Sequence, residues 1–146
     1  MSKPPHPQPG HMNREAISQL RRVNLRPTRQ RIAIFVWLFR SSQSQHVTAE
    51  GLHRKLSQQH TALSIATVYN TLNTFVEYGL LKKIYLNSDT AFYDTNTEPH
   101  HHIVIGDPLE IRDIPVEAIA LASQPQLPEG LQLRSVDVIL KADRRS

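Results

Sequence analysis

Apolar residues recur at helical spacing in the first half of the chain and at strand-like spacing in the second half. A first helix is predicted from Asn13, and three more are predicted after Thr28, Thr48 and Ser64. These hydroxyl residues are favoured N-caps because their oxygens accept hydrogen bonds from the free N–H groups of the first helical turn. The stripes predicted to be buried in these three helices are Ile32, Phe35, Val36 and Phe39, then Ala49, Leu52 and Leu56, then Val68, Leu72, Phe75 and Val76.

A β-hairpin is predicted directly after the fourth helix. Gly79 is placed to end that helix, because glycine is the residue most often found just beyond a helix C-terminus. Leu80–Leu86 and Ala91–Asp94 are β-like, and Asn87–Asp89 supplies turn residues between them. Four helices followed by a hairpin, with His60–Leu63 as the connection of a helix-turn-helix, predict a winged-helix domain.

The sequence changes character after Thr95. We predict strands at His102–Ile105, Leu109–Ile114 and Leu131–Ala142 and a helix at Val116–Ser123. A segment of about 50 residues is too small to be very stable alone, so its strands are expected to pair with a second copy of the chain. The predicted fold is α+β, with a disordered tail at 1–12, a winged helix-turn-helix domain at 13–95 and a small α/β dimerisation and sensing domain at 96–146.

Composition narrows the class of protein. None of the 146 residues is cysteine, which excludes disulfides and thiolate metal sites. Met1–Gly10 is rich in proline and has no apolar secretory core, and the longest apolar run, Ile32–Phe39, is too short to span a bilayer. A cytoplasmic protein with no membrane partner is expected.

Charge is unevenly distributed along the chain. Up to Thr95 there are twelve Lys or Arg against five Asp or Glu, and from Asn96 onward there are five against eight. A basic first half suits a polyanion such as nucleic acid, and the second half has carboxylates and histidines for a cation. Charge alone leaves nucleic-acid binding open, because many small proteins are mildly basic.

The fourth helix carries a face suited to reading DNA bases. Val68 lies at the centre of the buried stripe, so the opposite face presents Ala66, Asn70 and Asn73, with Tyr69 on its flank. Asparagine can bond adenine in the major groove, and aromatic rings can pack on thymine methyl groups. The cations expected to contact phosphates around this face are Arg26, Arg29, Arg31, Arg54, Lys82 and Lys83. The alternative is a solvated face of a helical bundle that does not bind DNA.

Three consecutive histidines form the strongest chemical signal. They lie in Pro99–Val104, and on a strand His100 and His102 point to one face while His101 points to the other. Two imidazoles on one strand face can share a metal ion. The alternative is a loop with exposed histidines.

Three segments resemble the DNA-binding domain of the Fur (ferric uptake regulator) family: Leu25–Arg31, His46–Glu50 and Ser64–Leu72. The resemblance implies that Tyr69 touches a thymine and that Arg26 enters the minor groove. The set of DNA-contacting residues expected from the pattern and the resemblance together is Arg26, Arg29, Arg31, Thr67, Tyr69, Asn70 and Asn73.

Asn70 stands where many members of that family have arginine, and in this the chain is similar to the Irr (iron response regulator) branch. Irr-like proteins carry a histidine run that binds haem, which implies haem at His100, His101 and His102. The Cys-x-x-Cys pair that binds a structural zinc in typical members is replaced here by Ile105 and Pro108, so the structural zinc site made of cysteines cannot form.

The resemblance also implies a regulatory metal site of mixed histidine and carboxylate ligands. The positions that match the family's ligands are His46, Asn87 or Asp89, His100, His102 and Asp113, and Asp89 is taken as the wing ligand. Such a donor set favours Fe²⁺, Mn²⁺ or Zn²⁺, at one ion per subunit.

The function expected from these observations is a homodimeric regulator, mainly a repressor, of iron and haem homeostasis genes. It would bind AT-rich operator DNA and respond to haem or to a divalent metal. The first alternative is a metal-corepressed regulator without haem sensing. A second is a mononuclear metal enzyme built on His100, His102 and Asp113, although no general base or substrate motif is evident. A third is a winged-helix protein that only mediates protein contacts.

Overall fold

The structure is a computed structural model that describes residues 9–86 and 89–146. Its contacts divide the chain after Thr97 into two compact units. The first unit contains the four long helices and a three-stranded sheet, and the second contains another three-stranded sheet. None of the described helices has the length and hydropathy needed to cross a bilayer.

The helices are α1 (Pro9–Arg22), α2 (Arg29–Phe39), α3 (Ala49–Gln58) and α4 (Ile65–Glu77). The three predicted N-caps are confirmed, because the hydroxyls of Thr28, Thr48 and Ser64 each accept a hydrogen bond from a backbone N–H of the first turn. These caps satisfy donors that have no partner inside the helix. They therefore set where α2, α3 and α4 begin.

Helix α1 starts earlier than predicted, at Pro9 instead of Asn13. Proline is tolerated in the first helical turn, because the N–H group that it lacks would have no intrahelical partner there. Residues 9–12 belong to this helix and not to a disordered tail. The rest of the predicted tail, residues 1–8, lies outside the described residues.

The core of the first unit lies between α1, α2, α3 and α4. The stripe predicted for α3 is buried, as are Val68, Leu72 and Phe75 of α4, whereas Val76 is only partly buried. The prediction for α2 is partly wrong, because Ile34, Trp37 and Leu38 are buried with Phe35, whereas Ile32, Val36 and Phe39 are only partly buried. From Ile32 to Phe39 every residue of α2 is apolar, so its periodicity could not single out one face.

Helix α4 ends as predicted, at a glycine. Gly79 has φ +77°, and Leu80 N–H donates to the Phe75 carbonyl at 2.8 Å. Strands β1 (His46–Val47), β2 (Lys82–Tyr85) and β3 (Ala91–Asp94) then form an antiparallel sheet in the order β1-β3-β2. The hairpin of β2 and β3 is the predicted wing, whereas β1 was not predicted as a strand.

The second unit is a sheet of β4 (His100–Ile105), β5 (Glu110–Pro115) and β6 (Ile139–Ala142), in the order β5-β4-β6. Strand β4 pairs antiparallel with β5 and parallel with β6. The helix predicted at Val116–Ser123 is only a short 3₁₀ turn at Val116–Ala118. Of the long strand predicted from Leu131, the last four residues form a strand, which pairs in parallel register with β4.

Hydrophobic burial differs sharply between the two units. All the buried hydrophobic side chains among the described residues belong to the first unit, from Ala16 to Tyr93. In the second unit the buried side chains are those of the three histidines. Large apolar side chains there are exposed instead: Leu109, Val116, Leu121, Leu127, Leu131, Leu133, Val136 and Leu140.

Candidate metal centre and DNA-contacting surface

Pairing between β4 and β5 builds a cluster of three potential metal ligands. His102 lies directly opposite Asp113 in the antiparallel register, and His100 points to the same face because it is two residues away on β4. His100 Nε2 lies 2.9 Å from His102 Nε2 and 3.4 Å from Asp113 Oδ1. His102 Nε2 lies 3.6 Å from the same carboxylate oxygen. We call these three residues the β4–β5 triad.

The β4–β5 triad has the spacing that a metal ion requires. Bonds of about 2.1 Å to a metal place neighbouring ligand atoms about 3.0 Å apart in octahedral geometry and about 3.4 Å apart in tetrahedral geometry. The three distances in the triad, from 2.9 to 3.6 Å, lie close to these values. Two imidazoles and one carboxylate are also a donor set typical of Fe²⁺, Mn²⁺ and Zn²⁺. The residues therefore fit such an ion.

Neighbouring backbone groups orient the histidine rings. His100 Nδ1 is within hydrogen-bond distance of the Glu98 carbonyl oxygen. A carbonyl only accepts, so Nδ1 carries the proton and the Nε2 lone pair faces the triad, as in many metal sites. His101 points to the other face of β4, where its Nδ1 accepts a hydrogen bond of 3.2 Å from Val138 N–H. His101 therefore ties the chain before β6 to β4.

The same cross-strand arrangement occurs in the first unit. His46 lies directly opposite Asp94 in the pairing of β1 with β3. His46 Nε2 is 3.2 Å from Asp94 Oδ2, and both side chains are buried. This His46–Asp94 pair is also spaced as two ligands of one ion would be. The first unit thus contains a histidine and a carboxylate suited to metal binding.

One of the predicted metal ligands lies outside the group of residues that could hold an ion. His100, His102 and Asp113 come together as the resemblance implied, and His46 is also among the residues able to hold an ion. The carboxylate that accompanies His46 is Asp94, whereas Asp89 lies in the β2–β3 turn and is not in this group. Asn87, the other predicted option, lies outside the described residues. The sequence did not point to Asp94 because its position beside His46 depends on pairing with β1, a strand of only two residues.

Helix α4 presents an exposed surface of the kind predicted for DNA contact. Val68 is fully buried, while Tyr69 is 43% exposed and Asn70 is exposed. Arg26 and Arg29 are also exposed, before and at the start of α2.

Two residues of the predicted DNA-contacting set, Arg31 and Thr67, form hydrogen bonds within the protein. Arg31 Nη1 donates to the Arg26 carbonyl at 2.9 Å, which holds the backbone that carries the Arg26 side chain. Thr67 takes part in the α4 cap, because its hydroxyl oxygen accepts from the Ser64 hydroxyl and its N–H donates to the same Ser64 oxygen.

Asn73 requires a revised interpretation. Its amide oxygen accepts hydrogen bonds from Lys83 Nζ at 3.0 Å and from the Tyr93 hydroxyl at 2.9 Å. A carbonyl oxygen has two lone pairs, so both are used within the protein. Bidentate recognition of adenine needs that oxygen together with the amide nitrogen. The contacts of Asn73 therefore favour a structural role over base recognition.

Comparison with known proteins assigns the family. A model described as the ferric uptake regulator family matches residues 22–141. The chain belongs to the ferric uptake regulator family. This is a family of transcriptional regulators, so the enzyme alternative is not supported.

Solved members of the family share this α+β fold. The ferric uptake regulator of Pseudomonas aeruginosa, solved with manganese, is 22% identical, with coverage of 90% of this chain and 98% of that one and a TM-score of 0.65. The regulator of Vibrio cholerae is 22% identical, with coverage of 87% and 98% and a TM-score of 0.68. The predicted α+β fold class, with helical and β-rich domains, is confirmed.

Curated relatives from staphylococci are more similar in sequence over a shorter range. The peroxide-responsive repressor PerR of Staphylococcus epidermidis is 35% identical over 94 residues, which make up 64% of this chain and 61% of that protein. PerR of Staphylococcus aureus is 35% identical over 94 residues, with 64% of this chain and 62% of that protein covered. These relatives support the family but not the narrower assignment to the Irr branch.

Proposed function

We propose that this chain is a dimeric DNA-binding transcriptional regulator whose affinity for operator DNA depends on a bound divalent metal ion. The observation that carries the proposal is the β4–β5 triad, in which two imidazoles and a carboxylate have the spacing of metal ligands. Membership of the ferric uptake regulator family supports the regulatory role. A metal-corepressed regulator was the first alternative from the sequence, and it now becomes the main proposal.

The proposed metal ligands are His100, His102 and Asp113, with His46 as a further ligand expected from the sequence. The triad supplies three donors, and Fe²⁺ or Mn²⁺ binds more than three. Participation of His46 is supported by the family resemblance, and within the first unit Asp94 lies directly opposite His46. When bound, the ion would link ligands through bonds stronger than hydrogen bonds and so favour one arrangement of the chain.

The proposed DNA-contacting surface is the exposed face of α4 with the cations around it. Tyr69 and Asn70 would meet base edges, and Arg26 and Arg29 would meet the backbone or the minor groove. All four side chains are exposed. A near-palindromic, AT-rich duplex is the proposed operator, because a two-fold symmetric dimer reads two half-sites.

The proposed dimer is supported by the missing core of the second unit. This unit leaves at least eight large apolar side chains exposed and, among its described residues, buries no hydrophobic side chain. Exposed apolar area on this scale marks an interaction surface. A second copy of the same chain would cover it with a like surface, as closed two-fold dimers do.

Haem is the less favoured ligand. His100, His101 and His102 are each at most 6% exposed. An axial haem ligand needs an imidazole that is accessible to the bulky macrocycle. His100 and His102 also face each other and Asp113 across short distances, which suits a small ion. The curated relatives are named for peroxide and not for haem. Iron and haem homeostasis genes stay the proposed targets, as the family resemblance implies.

The decisive experiment is a gel-shift series with the full chain and a duplex that it selects from a random library. We expect binding with Mn²⁺, loss of binding with chelator, and recovery when Mn²⁺ is restored. Haemin added to the Mn²⁺ protein should have no effect. Equal binding with and without chelator would reject metal control, and release by haemin would restore the Irr-like alternative.

A further arm of this series tests hydrogen peroxide, because the curated relatives are peroxide-responsive repressors. The chain contains no cysteine, so a peroxide response cannot depend on thiol oxidation. We therefore expect peroxide to release DNA from protein loaded with Fe²⁺ and to leave the Mn²⁺ protein bound. Equal sensitivity of both forms would contradict a response that depends on the bound metal.

A further inference from the structure

One side-chain oxygen joins the wing to helix α4. Asn73 Oδ1 on α4 accepts from Lys83 Nζ on β2 at 3.0 Å and from the Tyr93 hydroxyl on β3 at 2.9 Å. Both strands of the wing are thus hydrogen-bonded to the same atom of the helix. We call Asn73, Lys83 and Tyr93 the wing–helix junction.

The junction reaches the side chain proposed to read bases. The Lys83 ammonium lies 5.9 Å from the ring centroid of Tyr69, 5.6 Å from that of Tyr85 and 5.5 Å from that of Tyr93. These distances are within the range of cation–π attraction. Tyr69 and Asn73 are four residues apart on α4, so their side chains are neighbours on the helix surface. One cation therefore contacts both the junction and the exposed ring of Tyr69.

The protonation states of these groups suit their contacts. Burial raises the pKa of Tyr93, so its hydroxyl remains a donor at neutral pH. Burial lowers the pKa of Lys83. Its hydrogen bond with Tyr85 and its electrostatic interaction with Tyr93 and Tyr69 outweigh burial, so the pKa of Lys83 is raised overall. Lys83 therefore stays charged at neutral pH.

We propose that Tyr93 and Lys83 are positioning residues for DNA recognition, which act through Asn73 and the Tyr69 ring to hold the base-reading face of α4 against the wing. The inference rests on the proposed DNA-binding function and deepens it. Tyr93 is fully buried, so it cannot touch DNA itself. Its loss should therefore reduce the preference for operator over other DNA, and it should leave phosphate contacts unchanged.

The first test is Tyr93→Phe, which keeps the ring and the net charge but removes the hydroxyl. The probes are a duplex selected from a random library by the wild-type protein and a scrambled duplex of the same composition. We expect about tenfold weaker binding to the selected duplex, in line with the loss of one buried hydrogen bond. Affinity for the scrambled duplex and the salt dependence of binding should not change.

The matched control is Tyr78→Phe, which removes the hydroxyl of an exposed tyrosine just beyond α4 and outside the junction. It should bind both duplexes as the wild type does. If Tyr93→Phe binds both duplexes as the wild type does, or weakens on both equally, the inference is overturned. Far-ultraviolet circular dichroism and the thermal midpoint monitor the fold of each variant.

A second pair of variants tests Lys83 if Tyr93→Phe is poorly folded. Lys83→Met and Lys82→Met each remove one positive charge from β2, but Lys83 is the one that contacts Asn73. Lys82→Met should weaken binding to both duplexes by similar factors. Lys83→Met should weaken binding to the selected duplex more than binding to the scrambled one. Lys83→Arg should restore binding to the selected duplex. Identical behaviour of the two methionine variants would overturn the inference.

A measurement without DNA separates this inference from the proposed function. The chain has four tyrosines, so protein labelled with 3-fluorotyrosine should give four ¹⁹F resonances that can be assigned with Tyr→Phe variants. We expect Tyr93→Phe to shift the Tyr69 resonance and leave that of Tyr78 in place. If the Tyr69 resonance does not move in Tyr93→Phe while the wild type discriminates between the duplexes, this inference is overturned and the proposed function is not. A wild type that does not discriminate overturns the proposed function as well.

Discussion

Asp113 is a proposed metal ligand because it lies beside two histidines of the neighbouring strand. It lies opposite His102 and its Oδ1 is 3.4 Å from His100 Nε2. Asp113→Asn keeps the shape but removes the charge, so we expect Mn²⁺ affinity to fall by at least about tenfold, a typical scale for altered metal sites. Isothermal titration calorimetry would measure this loss.

Asp89→Asn is the matched control, because it makes the same change at a carboxylate outside the group that could hold an ion. It should leave Mn²⁺ affinity unchanged. A loss with Asp89→Asn equal to that with Asp113→Asn would reinstate Asp89 as a ligand.

Tyr69 and Arg26 are expected to contribute to DNA binding in different ways. Tyr69→Ala removes a base contact and should weaken binding to the selected duplex by about 1–3 kcal/mol. Arg26→Ala should weaken binding to all duplexes and lower the slope of affinity against salt concentration by about one unit. Fluorescence anisotropy over a range of salt concentrations would measure both effects. Similar salt slopes for the two variants would contradict this distinction between a base contact and a charge contact.

The end of α4 is a stability element that can be tested by itself. Gly79 has φ +77°, a conformation that costs an L-residue about 1–2 kcal/mol, although no atom lies within 4 Å of an added Cβ. Gly79→Ala should therefore lower the free energy of unfolding by about 1 kcal/mol. Gly79→Asn should cost less, because asparagine tolerates this conformation better. Urea denaturation would measure both, and an equal or smaller loss for alanine would contradict this account of the turn.

The strands differ in how well their positions could be predicted from the sequence. Strand β3 has an aromatic pair in its sequence and was predicted at its observed bounds, whereas β1 has two residues and no detectable pattern. The segment from Leu131 to Asp137 has a strand-like composition, but the structure shows no pairing of these residues with a neighbouring strand. Strand composition describes how well a residue fits a sheet, and pairing partners decide whether a strand forms.

The exposed apolar surface of the second unit predicts self-association. Light scattering at micromolar concentration should give about twice the chain mass of 16.7 kDa. The dimer should persist in about 1 M salt, because apolar burial is not screened as charge pairs are. A monomeric mass, or dissociation at high salt, would contradict an apolar interface.

Local chemistry allowed the sequence alone to determine several features. Thr28, Thr48 and Ser64 cap helices through bonds to residues three positions away, and Gly79 ends α4 through its own backbone freedom. The two-residue period of a strand was enough to place His100 and His102 on one face. Such features depend on neighbours in the chain, which a sequence displays directly.

Only the tertiary structure decided the features that depend on distant residues. Asp94 became a candidate ligand through its pairing with His46, 48 positions earlier in the chain. Asn73 changed from a predicted base reader to part of the wing–helix junction, because Lys83 and Tyr93 reach it from the wing. The buried face of α2 was likewise chosen by the helices packed around it, because its own sequence is apolar on all sides. In each case the deciding contact joins segments whose separation in the sequence hides their proximity in space.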